Sequence, residues 1–278
     1  MSNGAGLGHD EGVARLQHFK TQLDLRRVPF VRKPDPKPPI VDRLVLWFST
    51  SRKVDGLWVG TMEGKPYPGL RRVEDALRLI KRHDSLHYSR VIHNLERIKV
   101  GVIPNARACY NRSLTACVFD ERFVLPETTT LERIASVIIH EATHARLEGW
   151  GVSYDDEKQR ARIEAICLRR ELSFVSKLPH GEPLREEIAR TLEWCIGDHD
   201  YFSNVSFRQR ADQENVETLR YLGTPDWLIR SLPKVRAIFF GVRRLVHRFA
   251  GCFRGKRRNV VSSPSDAFGP DPKSDLSP

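Results

Sequence analysis

The sequence predicts an α+β protein in which a small sheet is built first and a run of helices follows. Three observations carry this expectation. Short apolar runs punctuated by turn signals fill residues 40 to about 126. Beyond Pro126 the apolar residues recur at helical spacing to about residue 230. No stretch of about 18 uninterrupted apolar residues occurs, so a bundle of membrane-spanning helices is not expected. With 278 residues, 40% of them hydrophobic and 29% charged, the chain can bury one sizeable core and still carry appendages.

Residues 1–39 are polar and then proline-rich ("VPFVRKPDPKPP"), which predicts a flexible, extended arm with a short helix over 13–25 as its one candidate element. The domain proper is expected over 40–230. In its first part "IVDRLVLWFST" and "GLWVGTM" read as strands on either side of a turn at Asp55-Gly56. Val73, Ala76, Leu77 and Ile80 then repeat at helical spacing. Two further strands follow in "RIKVGVIP" and "TACVFDERFVL". The second would carry Cys117, Phe119, Phe123 and Leu125 on one face and Val118, Asp120, Arg122 and Val124 on the other, with Glu121 interrupting the apolar face.

The first helix after the sheet, "ERIASVIIHEATHARLEGWG", carries the chemistry. Thr129 with Glu132 three residues on is a capping-box signature, and Gly149 and Gly151 are stop signals, so the helix should run from about 130 to 148. Leu131, Ile134, Ala135, Ile138, Ile139 and Ala142 form one apolar stripe. At roughly 100° per residue, His140 and His144 fall about 170° and about 150° from that stripe and only about 40° from each other. Two imidazoles one turn apart reach a single metal ion, with Glu141 beside them as a base. The competing reading is a solvated polar face, against which Val137 and Leu147 count.

Two histidines leave a metal short of a third protein ligand. The carboxylates downstream are Glu148, Asp155, Asp156, Glu157, Glu164 and Glu171. Glu164 stands out because it lies inside the stripe of Ala161, Leu168, Leu172 and Val175, opposite Lys158, Arg162 and Arg169. A carboxylate in an apolar stripe requires a partner. Either Arg160 one turn back or a metal shared with His140 and His144 would serve.

"HEATH" followed twenty residues after His144 by Glu164 resembles the gluzincin class of zinc metallopeptidases, over roughly residues 95 to 176. The resemblance implies a zincin-like fold, one Zn²⁺ held by His140, His144 and Glu164, Glu141 as general base, and a protein or peptide substrate whose peptide bond is hydrolysed. It also implies that "ACVFDERFVL" is an edge strand along which an extended peptide pairs. The sequence departs from the family in two places. Leu168 stands where an acidic residue is expected four positions after the ligand glutamate, with Glu171 on the same face as a substitute. The transition-state donor is not fixed among Tyr154, His180, His199, Tyr201 and Tyr221. The metzincin pattern is absent, because Leu147 and Trp150 occupy positions where it needs Gly and His.

The remaining candidates are weaker. His83 and His87 are four apart, but Asp84-Ser85 reads as a helix end with no third ligand, which makes them surface histidines. Cys167 and Cys195 lie in apolar helical settings and read as packing residues. His199 in "IGDHDYF" is kept as a catalytic donor. Five cysteines without paired spacing argue against a disulfide framework, and the N-terminus lacks a signal-peptide pattern, so a cytoplasmic protein is expected.

The formal net charge of +11 concentrates near the C-terminus. Residues 231–258 form a basic amphipathic segment in which Val235, Ile238, Phe239, Val242, Val246 and Phe249 oppose Arg236, Arg243, Arg244, His247 and Arg248. Three readings compete: a helix packed on the domain, an attachment of residues 234–258 to an anionic membrane surface, and a nucleic-acid patch. The last has least support, since no recognised binding fold surrounds it. Residues 259–278 read as a disordered tail. The function class that competes with the peptidase is a non-catalytic binding or scaffold protein on the same fold, associated with a membrane surface.

Overall fold

A computed structural model describes residues 39–104, 106–197, 200–229 and 231. The expected arm, the basic segment 231–258 apart from Ser231, the tail and His199 lie outside these residues. The protein is α+β, with a mixed five-stranded sheet in the order β1-β2-β3-β5-β4. The chain divides into two compact units, one ending at Thr218 and the other beginning at Leu219.

The first described element corrects an expectation. Ile40–Phe48 is a helix, α1, where the apolar run predicted a strand. Ile40, Leu44, Trp47 and Phe48 recur at i, i+4, i+7 and i+8, which fits a helix, and a helix closes its own backbone hydrogen bonds without a neighbouring strand. Strand β1 (Thr50–Val54) follows and pairs antiparallel with β2 (Leu57–Thr61). Their turn is at Asp55-Gly56, where φ is 49° and 89°. Positive φ at both central residues is what a two-residue hairpin of right-handed twist requires, and Asp-Gly supplies it at low cost.

Helix α2 (Pro68–His83) buries Val73, Ala76, Leu77 and Ile80 completely, as their spacing predicts. It stops at Asp84, whose carboxylate accepts the His87 backbone N–H and caps α3 (Ser85–Asn94). Strand β3 (Arg97–Gly101) then runs parallel to β2. Strand β4 (Ala108–Asn111) was not expected, and it forms the sheet edge, antiparallel to β5 (Ala116–Asp120).

Two further expectations are thereby corrected. The strand in "TACVFDERFVL" ends at Asp120, and Glu121–Val124 turns into a short helix, α4. Asp120 Oδ1 accepts the Arg122 backbone N–H, and the Arg122 guanidinium closes on the same carboxylate, so this side-chain pairing ends the ladder. In addition, β5 is an interior strand between β3 and β4 rather than an edge.

Helix α5 (Leu131–Gly149) lies where expected, but its cap is Thr130, whose hydroxyl accepts the Arg133 N–H, one residue beyond the Thr129 signature. Its apolar stripe joins Val59, Ile98, Phe119, Leu77 and Ile80 in the main core. Helix α6 (Glu157–Val175) packs beside it, followed by α7 (Glu182–Ile196) and α8 (Asn204–Tyr221). In the second unit the Thr224 N–H bonds the Leu219 carbonyl, the Gly223 N–H bonds that of Arg220, and Gly223 has a φ of 75°. This is the Schellman ending, in which a glycine takes the left-handed position.

Candidate metal centre

With its stripe in the core, α5 turns His140 and His144 together into a cleft of about 740 Å³. Their Nε2 atoms are 3.0 Å apart. Helix α6 brings Glu164 across from them, with Oε2 3.2 Å from His140 Nε2 and Oε1 3.5 Å from His144 Nε2. Arg160 does not pair with Glu164. Its guanidinium is spent on the carbonyls of Tyr154 and Phe202, at 2.9 Å and 3.0 Å, and on Asn204 Oδ1 at 2.8 Å.

Glu171, two turns beyond Glu164 on α6, reaches the other side of His140, with Oε1 2.6 Å from Nδ1. Against a carboxylate, Nδ1 carries the hydrogen and donates it, which leaves the Nε2 lone pair facing the cleft. The second oxygen of Glu171 accepts the Ser136 hydroxyl, so the carboxylate is itself fixed. Three electron-rich positions, His140 Nε2, His144 Nε2 and Glu164, therefore converge. Such a set is at rest only around positive charge, a proton or a metal ion.

The titration directions agree. Burial opposes charging of His140 and His144, but the Cys167 sulfur and the carboxylate of Glu164, joined at His140 by Glu171, outweigh it and raise both pKa values well above the ordinary imidazole value. Burial likewise works against the Glu164 carboxylate, yet hydrogen bonds to His140 and His144 hold its pKa well below the usual range. Glu141 lines the same cleft and is 6% exposed. Burial pushes its carboxyl up, and the two histidines only partly offset this.

One donor was not expected. Cys167, read as a packing residue, is fully buried beside Leu147 and Ile163, and its sulfur lies with the histidine nitrogens in a group whose ligand atoms are all within 4.8 Å of one another. It sits three residues after Glu164, on the same face of α6. The i+3 and i+7 spacings from Glu164 to Cys167 and Glu171 were the sequence signal for both residues.

The cleft walls come from both halves of the first unit. Edge strand β4 contributes Ala108, Cys109 and Tyr110 on one side. Trp194 of α7 and Tyr201, packed edge to face with ring centroids 4.8 Å apart, line it as well. Among the expected donors, Tyr154 stands edge-on to His144 at 5.4 Å and shares a hydrogen bond with Glu164. Burial, then that carboxylate, raises its pKa far above the usual phenol value. His180 is not among the lining residues described, and Tyr221 belongs to the second unit. Among the described residues no helix is long and apolar enough to cross a membrane. No protein-family model, curated protein or solved structure matches this chain.

Proposed function

We propose that this chain is a zinc-dependent metallopeptidase with a zincin-like fold, similar in its ligand pattern to the gluzincins. The observation that carries the reading is the placement of Glu164, delivered by a second helix to within 3.5 Å of both His140 and His144. The donor set suits zinc, with two imidazoles and one carboxylate on rigid helices and a carboxylate behind one imidazole. When bound there, zinc acidifies a water molecule and polarises a carbonyl oxygen.

The chain's own groups supply the rest. Glu171 keeps His140 in the tautomer that presents Nε2. Glu141, raised in pKa by burial, accepts the proton of the attacking water and returns it to the departing nitrogen. The Tyr154 hydroxyl, held protonated and hydrogen-bonded to Glu164, would turn its single O–H from that carboxylate to the oxygen on which negative charge develops. The exposed edge of β4 offers backbone groups to an extended peptide, taking the part the sequence suggested for β5. The buried cysteine thiols suit a cytoplasmic setting, and the basic composition of residues 234–258 suits an anionic membrane surface.

A second reading is favoured by Cys167. If its thiolate joins the two histidines and Glu164, the metal has four protein ligands, which is the closed shell of a structural site in a binding or scaffold protein. Substitution decides between the two. In the peptidase, Glu141→Gln leaves zinc bound and lowers hydrolysis of a peptide library by 10²-fold or more, on the order expected for loss of a general base. Equal hydrolysis by wild type and variant, or none by a zinc-loaded wild type, contradicts the peptidase reading.

A further inference from the structure

On another flank of α5 the structure gathers positive charge without a counter-ion. His87 on α3 is buried, 3% exposed, which corrects the expectation of a surface histidine. Its Nδ1 lies 2.5 Å from Asp84 Oδ2, and Lys177 Nζ lies 2.7 Å from the same oxygen. The carboxylate that reaches His87 is thus already committed. Its Nε2 is buried and has no hydrogen-bond partner among the described residues. His87 lines a cavity of about 50 Å³, room for more than one water molecule, between α3, α5 and α6.

Arg90 from α3, Arg146 from α5 and Arg170 from α6 line the same cavity. Among the described residues none of the three has a carboxylate in salt-bridge range, and Arg146 stacks on Trp150 at 4.3 Å. Burial first, and then the neighbouring Arg90 guanidinium, depresses the pKa of Arg170. Arginines from three helices thus share one cavity with a buried imidazole whose nitrogen lacks a partner among the described residues, and an anion there would meet their forked donors.

We propose that Arg90, Arg146, Arg170 and His87 form a binding site for a phosphate group, separate from the metal centre. The guanidiniums supply paired N–H donors to its oxygens. With Nδ1–H given to Asp84, His87 Nε2 accepts the hydrogen of a protonated phosphate oxygen. The shared chemistry is the phosphate group, carried by inorganic phosphate or by a small phosphomonoester.

The test is calorimetric titration of the full chain with inorganic phosphate and, separately, with glycerol phosphate, against chloride at equal ionic strength. Wild type binds one equivalent of at least one of the two, and the tighter one identifies the source. Arg90→Gln and the exposed Arg170→Gln each weaken binding about tenfold or more, as loss of a charged donor predicts. In low-salt buffer without phosphate, Arg170→Gln also melts no lower than wild type, because a repelling charge is gone. Binding that survives unchanged in both variants, as it would if phosphate bound a metal in the main cleft, overturns the proposal. So does a response no greater than that to chloride.

Discussion

Glu171 Oε1 lies 2.6 Å from His140 Nδ1, so the carboxylate that orients the first imidazole comes from seven residues beyond Glu164 on the same helix. Glu164 and Glu171 thus address opposite edges of the His140 ring from one face of α6. Removing the outer partner should loosen a metal without destroying its site. We predict that Glu171→Gln weakens zinc about 10- to 100-fold, measured by competition with a chelator, while helical content is retained. Unaltered affinity would mean that the His140 tautomer is fixed by something else.

Tyr154→Phe tests the charge-stabilising donor. The ring keeps its packing on His144 and loses only the hydroxyl. Peptide hydrolysis should fall in kcat by about 10²-fold with KM nearly unchanged and zinc content intact. A loss confined to KM, or a loss of zinc, would instead assign Tyr154 to substrate binding or to holding Glu164.

The ion pair between α5 and α7 gives a pH signature. The Arg133 guanidinium donates to both oxygens of Glu187, one contact at 2.9 Å. Arg133, against the opposing effect of burial, holds the Glu187 carboxyl below its ordinary value. A depressed carboxylate pKa stabilises the fold above the unfolded value near 4.3 and loses that contribution as pH falls through the folded value. Because Glu187 is partly exposed, Glu187→Gln should cost no more than about 1 kcal/mol at pH near 7. Urea unfolding should find the gap closing below about pH 4 and shrinking in high salt. A gap independent of pH would contradict this assignment.

How far each feature could be read from sequence follows from how local its cause is. The Asp55-Gly56 hairpin, the core stripe of α2 and the span of α5 depend on spacing and turn chemistry within a few residues, and all three lie where expected. The α1 segment was read as a strand because a short apolar run fits both periods, and only its lack of a pairing partner decides for a helix. Strand β4 was missed because "ACYN" has neither length nor alternation, and its existence depends on pairing with β5. His140, His144 and Glu164 were legible as residues. Their convergence depends on how α6 packs on α5, and that same packing brings in Cys167 and turns Glu171 onto His140. His87 was misjudged because its burial comes from α5 and α6, far away in sequence.

The α5 cap is a further local check. The Thr130 hydroxyl accepts the Arg133 N–H, so Thr130→Ala should destabilise the fold by about 1 kcal/mol in chemical denaturation, and Thr130→Ser should recover most of it. A negligible change would return the cap to Thr129.

Zinc content of the purified full chain, by elemental analysis of wild type, Glu164→Gln and Cys167→Ser side by side, tests the account most directly. One zinc per wild-type chain, clear loss in Glu164→Gln and retention in Cys167→Ser are the predicted results. Zinc lost with Cys167 but kept without the Glu164 carboxylate, or a wild type that stays empty after dialysis against zinc, would contradict a catalytic centre built on His140, His144 and Glu164.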